Sequence, residues 1–123
     1  MVAFMGMFKE VPQYVVRAGL ARPRDLIAGT GPHREIPDLT GFSVQSAPCV
    51  VWEDLARGGR FRNLQVGVAT HQDLQWYGFK LVFPSPGRGV YYATVQTPDP
   101  LPPDVAEQLS RLFIQHSNPY PVR

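Results

Sequence analysis

The sequence predicts an α+β fold, a small, mostly antiparallel or mixed sheet with two or three short helices. The 123-residue chain contains thirteen Pro and eleven Gly, which favour many short elements joined by turns. Segments rich in β-branched and aromatic residues also alternate with short segments that begin with helix-start signals. Hydrophobic residues make up 44% and charged residues 18%, as in ordinary globular proteins. We expect an N-terminal segment over 1–10, one domain over 11–118 and a tail over 119–123.

The first strand and helix are predicted from the segment VPQYVVRAGLARPRDLIAG. Residues 11–18 are rich in β-branched and aromatic side chains and end at Gly19, which is typical of a strand. Pro23 suits the first position of a short helix, and Gly29 is placed to end it.

A loop and a second strand follow. Residues 29–41 contain several helix and strand breakers and have no hydrophobic period, so we expect a loop. Residues 42–47 (FSVQSA) predict a short strand. Ser46 is placed to cap a helix in the segment PCVVWEDLARGG that comes next.

The second half of the chain predicts mainly strands and one longer helix. Residues 61–70 alternate, with Leu64, Val66 and Val68 on one side, and HQDLQ after them predicts a turn or a helical turn. YGFKLVF and GVYYATVQT predict a hairpin joined by PSPGRG. LPPDVAEQLSRLFIQH predicts an amphipathic helix that begins at Pro103.

The composition and the motifs oppose several functional classes. A net charge of +2 is too small to indicate a nucleic-acid-binding protein. One cysteine, Cys49, excludes a disulfide within the chain. We find no signal peptide and no apolar run long enough to span a membrane, and therefore expect a cytoplasmic protein. The three His residues and Cys49 lack the spacing of a metal site, so we expect no metal.

Arg17 stands out because a strand that only fills a core has little use for a charge. It could extend to solvent or pair with Asp25, as strand-end arginines often do. Alternatively, a guanidinium fixed on a rigid strand could hold a phosphate or a carbonyl group with two hydrogen bonds. The residues alone leave both possibilities open.

The segment around Arg17 resembles the opening of cholera-type ADP-ribosyltransferase toxins. In YVVRAGLARPRDLIAGTG, a strand with an arginine leads into an Arg-Pro turn and a short helix, as in that family. GFSVQSAP, residues 41–48, is similar to the family's serine-bearing strand, which supports the nicotinamide pocket. GVYYATVQTPDPLPPDVAEQLSRLF is similar to the end of compact type VI secretion effector toxins with an ADP-ribosyltransferase-like fold.

This resemblance implies a set of site residues. Arg17 would bind NAD and brace the site, and Ser43, with Ser46 as its rival, would hold that geometry by hydrogen bonding. Tyr91 or Tyr92 could stack on the nicotinamide ring. Because the two tyrosines alternate, one of them is expected to face the core.

His71 lies between two predicted strands, where loops carry function. It could bind the pyrophosphate of NAD or accept a proton, and Trp76 could wall the pocket. The alternative is a solvated histidine and a tryptophan that anchors the core.

One departure from the family concerns the catalytic glutamate. The family places a glutamate on the last pocket strand, where it stabilises the oxocarbenium-like transition state. GVYYATVQT contains no acid, and Gln96 is the nearest equivalent; Glu107 lies beyond it on the predicted helix. Gln96 can still hydrogen-bond a ribose hydroxyl, but it supplies no negative charge.

The resemblance implies a toxin that transfers ADP-ribose from NAD to a macromolecule or to water, with weakened activity because the glutamate is missing. An immunity protein or antitoxin would be its partner. The alternative is a non-enzymatic binding or assembly module, in which Arg17 makes a structural ion pair. RNA binding through Tyr91 and Tyr92 is a third possibility, which the small net charge opposes.

Overall fold

The computed structural model describes residues 11–57, 65–83 and 91–120. These residues form four helices and a seven-stranded sheet, which confirms the α+β prediction with one helix more than expected. The strands are β1 (Tyr14–Ala18), β2 (Gly31–Pro32), β3 (Thr40–Ser46), β4 (Gln65–Thr70), β5 (Lys80–Val82), β6 (Tyr92–Gln96) and β7 (Ile114–Ser117). The helices are α1 (Pro23–Gly29), α2 (Trp52–Leu55), α3 (His71–Trp76) and α4 (Pro103–Leu112).

The sheet has the order β5-β6-β3-β1-β4-β7, with β2 also paired to β3. All pairings among the described strands are antiparallel, so the mixed alternative is not found there. The predicted hairpin appears as the antiparallel pair β5 and β6. Its connection PSPGRG and residues 61–64 of the preceding predicted strand lie outside the described residues.

One edge of β3 is paired in two separate places. At one end β1 pairs with it through Val15↔Ser46 and Val16↔Gln45. The chain then leaves the sheet through α1 and returns as β2, which pairs with Gly41. The other edge of β3 is occupied by β6, so β1 and β2 share one edge. Between them lies a gap in the strand pairing, opposite the middle of β3.

The sheet buries a hydrophobic cluster on each face. The first cluster joins β1, β3 and β6 to α1 and α4, and its members include Val15, Leu26, Phe42, Val95 and Leu109. The second lies over β1 and β4 and includes Val16, Leu55, Ala56, Val66 and Val68. On the second face, the half of the sheet formed by β3 and β6 instead carries polar side chains, Ser43 and Thr94 among them.

Helix α1 begins at Pro23, as the sequence predicts, and ends at Gly29. The Asp25 carboxylate accepts hydrogen bonds from the backbone N–H of Arg22 at 3.1 Å and from its Nε at 2.7 Å. The bond from the Arg22 side chain is the largest cause of a lowered pKa at Asp25. Asp25 is thereby committed to Arg22 at the start of the helix.

The predicted capping role of Ser46 is wrong. Helix α2 begins only at Trp52, after Val51 as its N-cap residue. Ser46 is fully buried; its Oγ donates to the carbonyl of Tyr14 at 2.6 Å and accepts from Nε2 of Gln13 at 3.2 Å. Five residues separate Ser46 from the helix, and its hydroxyl instead joins β3 to β1.

The predicted C-terminal helix is too long. It ends at Leu112, and Ile114–Ser117 form β7, which pairs with the outer edge of β4. Phe113 packs into the first cluster at the point where the chain changes from helix to strand. Pairing with an open strand edge outweighs the helical pattern there, because backbone groups of both segments then gain hydrogen bonds.

In the part of the chain that is described, no helix has the length and apolar character needed to cross a membrane.

Candidate functional site

A pocket of about 330 Å³ lies beside the gap in the pairing of β3. Its walls come from three parts of the chain, namely the segment after α1, strand β3 and strand β6. The lining residues are Gly29, Gly31, Pro32, His33, Arg34, Gly41, Ser43, Tyr92 and Thr94. The volume is at the lower end of the range of about 300–1,000 Å³ that is typical of small-molecule sites.

Arg17 is not among the residues that line this pocket, but its guanidinium lies in the gap between β1 and β2, next to the lining residues Ser43 and Gly29. Its Nη1 donates to the carbonyl of Ser43 at 2.7 Å, and its Cζ lies 5.1 Å from the centroid of the Phe42 ring. Asp25 is not within ion-pair distance of Arg17 among the described residues, so the predicted alternative of an ion pair is not found. Burial lowers the pKa of Arg17, and attraction by Asp25 partly offsets this effect. Arginine nevertheless remains charged in proteins.

Gly29 leaves room for the Arg17 guanidinium. A Cβ at position 29 would overlap Nη2 of Arg17. Both Gly29 and Ser43, the two residues that enclose the guanidinium, line the pocket. The charge is thus held at a fixed place beside the pocket by backbone rather than by a flexible partner.

Of the residues that the resemblance singles out, Ser43 and Tyr92 line the pocket. Ser43 is exposed on β3, directly opposite Thr94 of β6. Tyr91 instead packs against the second cluster, and its carbonyl accepts the N–H of Ser46. The rival serine, Ser46, is buried between β1 and β3 and is absent from the lining.

Gln96 and His71 are not brought into the pocket. Gln96 is exposed at the end of β6, opposite Gly41, on the same face as Thr94 but outside the lining. His71 begins α3, where its N–H donates to the carbonyl of Gln13, and it does not line the pocket. Trp76 ends the same helix and is 83% exposed, so it is neither a pocket wall nor a core anchor. Glu107 is exposed on α4, whose buried residues belong to the first cluster.

His33 is a pocket residue that the sequence prediction missed. Its Nδ1 accepts the backbone N–H groups of Glu35 and Ile36, both at 3.0 Å. The neutral ring therefore carries its proton on Nε2. That Nε2 is buried and has no hydrogen-bond partner among the described residues. A histidine in a loop, with backbone N–H groups two and three residues later within reach of its ring, is the signal that could have indicated this fixed ring.

Thr94 is the second missed residue. It is only 4% exposed, and its Oγ1 likewise lacks a hydrogen-bond partner within the described residues. The third buried side-chain atom in this condition is Nε of Arg17. Buried polar groups are normally hydrogen-bonded, and two of these three exceptions belong to residues that line the pocket, His33 and Thr94.

The pocket favours an anionic ligand. Among the described lining residues there is one cation, Arg34, and no carboxylate, while Arg17 adds a second positive charge at the border. Nowhere in the described residues do three or more His, Cys, Asp or Glu side chains come together as they would to hold a metal ion. A polar pocket of this kind can bind an anion through charge and fixed donors.

No protein-family model, curated protein or solved structure was found to match this chain.

Proposed function

We propose that the pocket binds NAD and that the protein is an ADP-ribosyltransferase-like toxin domain. The observation that carries the proposal is the position of Arg17. Its guanidinium is fixed between Gly29 and the carbonyl of Ser43, two residues of one pocket. The closeness of the arginine strand to the serine strand supports the roles that the resemblance implies for Arg17 and Ser43.

The other residues of the pocket suit the parts of NAD. The pyrophosphate needs positive charge and hydrogen-bond donors, which Arg17 and Arg34 can supply. Tyr92 lines the pocket and offers an aromatic face for the nicotinamide ring. Ser43 can hydrogen-bond the nicotinamide ribose or amide.

The proposed reaction is substitution at C1′ of the nicotinamide ribose. The bond between C1′ and the nicotinamide nitrogen breaks, and its electron pair leaves with nicotinamide, which becomes neutral. A hydroxyl, amine or water of the acceptor forms the new bond to C1′ and releases its proton to solvent. The acceptor is a macromolecule or water.

We expect slow turnover. Gln96 is the proposed hydrogen-bonding partner of the ribose, but it lies at the end of β6 outside the pocket lining and carries no charge. Losing one preorganised electrostatic group commonly lowers the rate by about 100-fold or more. Binding of NAD is therefore a better first test than turnover.

A toxin of this kind would act in the cytoplasm of a target cell. Its producer would then need an immunity protein or an antitoxin, and we propose such a protein as the partner.

Calorimetric titration with NAD tests the proposal. The variants are Arg17→Ala, Arg17→Lys and, as the matched control, Arg24→Ala, which removes an exposed cation nearby. We expect wild type and Arg24→Ala to bind alike and Arg17→Ala to lose binding. Arg17→Lys keeps the charge but lacks the planar fork, so it should bind weakly.

Gly29→Ala provides a second test that keeps Arg17. The added methyl group would displace the guanidinium from its place. We expect NAD binding to weaken while the protein stays folded. If folded wild type does not bind NAD, or if Arg17→Ala binds as well as wild type, the proposal is rejected and the non-enzymatic binding module is the better account.

A further inference from the structure

We propose that His33 and Thr94 form an oxyanion subsite that takes a phosphate group of the molecule bound in the pocket. This inference rests on the proposed function in one respect, since NAD supplies such a group in its pyrophosphate. The two side chains would serve any phosphorylated ligand equally.

His33 contributes a fixed donor. Two backbone N–H groups, of Glu35 and Ile36, hold its Nδ1, so that the ring cannot rotate without losing both bonds. The proton on Nε2 is therefore presented at a constant position, and no described residue accepts it. A ring nitrogen that carries a proton cannot bind a metal, but it can donate to an oxygen.

Thr94 contributes the second donor, from strand β6. Its Oγ1 is buried and lacks a partner among the described residues, although a hydroxyl normally finds one. Tyr92 lies two residues earlier on the same face of β6, and its ring centroid is 6.2 Å from that of His33. His33, Tyr92 and Thr94 all line the pocket, and Tyr92 lies near His33 on the strand that carries Thr94.

Charge identifies the class of group that they hold. The cations Arg17 and Arg34 border or line the pocket, and the described lining contains no carboxylate. Two unpaired donors in a positive field favour an oxygen with full negative charge over a neutral carbonyl. A phosphate group has several oxygens, so that one group offers an acceptor for each donor.

The variants are chosen so that each removes one donor and little else. Thr94→Val keeps the shape and loses the hydroxyl, and Thr94→Ser is its control because it keeps the hydroxyl. His33→Asn keeps an acceptor near the N–H groups of Glu35 and Ile36 but has no donor at the position of Nε2. Thermal unfolding checks that each variant is folded.

Calorimetry measures the affinity of each folded variant for NAD and for inorganic pyrophosphate. We expect Thr94→Val and His33→Asn to lose about 10- to 100-fold in affinity, as is typical of a lost hydrogen bond to a charged group, and Thr94→Ser to bind like wild type. If wild type binds pyrophosphate but not NAD, and the variants lose that binding, the subsite stands and the proposed function fails.

Two results would overturn the subsite. In the first, wild type binds NAD or pyrophosphate, and both variants bind the same probe with wild-type affinity. If that probe is NAD, the proposed function survives. In the other, folded wild type binds neither probe, and both proposals fail together.

Discussion

At Thr94 we expect ligand binding to be favoured at the expense of stability. Its buried hydroxyl lacks a hydrogen-bond partner among the described residues, and such a group costs about 1–3 kcal/mol. We therefore expect Thr94→Val to raise the free energy of unfolding by about 1 kcal/mol in the absence of ligand. Urea denaturation measures this change, with Thr94→Ser as the variant that should show no gain. A loss of stability in Thr94→Val would mean that the hydroxyl is satisfied in the free protein.

Ser43 and Ser46 have opposite roles three residues apart. Ser46 is fully buried and its hydroxyl takes part in two hydrogen bonds, whereas Ser43 is exposed in the pocket. We expect Ser46→Ala to lower the free energy of unfolding by about 1–3 kcal/mol, because it leaves buried groups without partners. Ser43→Ala should change it by less than about 0.5 kcal/mol, as is usual for exposed positions.

The same two variants should reverse their order in ligand binding. Ser43→Ala should weaken NAD binding, while folded Ser46→Ala should bind like wild type. If Ser43→Ala and Ser46→Ala lower the free energy of unfolding equally in denaturant experiments, the two serines do not have these separate roles.

Part of the site could be predicted from residue types alone. A charged arginine inside a β-favouring run is unusual enough to attract notice, and Ser43 and Tyr92 follow from the strands that the resemblance covers. His33 and Thr94 could not be found in this manner. Whether a side chain lacks a hydrogen-bond partner depends on which groups the fold places around it. The residue type of a loop histidine or a strand threonine does not carry that information.

At the scale of elements, the start of α1 depends on a carboxylate. The hydrogen bond from the Arg22 side chain is the main cause of the lowered pKa of Asp25. A lowered folded-state pKa gives stability that is present above the unfolded value, about 3.9, and is lost as the pH falls through the folded value. We expect Asp25→Asn to cost at most about 1 kcal/mol at pH 7, since the pair is exposed to solvent.

The difference between Asp25→Asn and wild type should begin to shrink as the pH falls below about 4, and should disappear once the pH is below the lowered pKa of folded Asp25. Urea denaturation at several pH values measures this difference in the free energy of unfolding. A difference that persists unchanged in acid would assign the effect to helix propensity rather than to charge.

Strand β7 anchors the turn that leads into α1. The side chain of Gln115 accepts the N–H of Ala21 at 2.8 Å, and Ser110 of α4 donates to the carbonyl of the same residue at 2.6 Å. We expect Gln115→Ala to destabilise the protein by about 1–2 kcal/mol and to speed hydrogen exchange at the Ala21 amide. Gln115→Glu keeps an acceptor and should leave that amide protected. Equal exchange in both variants would show that the carboxamide oxygen is not what protects it.

The existence of β7 illustrates a limit of periodicity. Residues 103–112 form the predicted helix, and the apolar pattern continues through Phe113, so sequence spacing extends the helix further. Only the fold reveals that β4 has an open edge at that place, and pairing across 50 residues of sequence has no local signature.

At the scale of the whole molecule, the two clusters on opposite faces of the sheet differ in their relation to the pocket. Leu26 belongs to α1, which ends at the pocket residue Gly29, whereas Leu55 belongs to the second cluster. Both are fully buried, and each change to alanine should cost about 2–5 kcal/mol.

We expect Leu26→Ala also to weaken the binding of NAD, because a loosened α1 shifts Gly29 and with it the Arg17 guanidinium. Leu55→Ala, the control of matched size, should keep wild-type affinity at a temperature where both variants are folded. If the two variants lose affinity equally, binding follows overall stability and not the placement of α1.

The gap between β1 and β2 has a consequence for how such a protein can evolve. The strands fix the position of the opening, and the loop from Pro32 to Leu39 supplies much of the chemistry around it. Replacements in that loop can therefore alter which molecule is accepted without repacking either core cluster. Selection can act on ligand preference and on folding almost separately, so that related chains could diverge in their targets while keeping the same sheet.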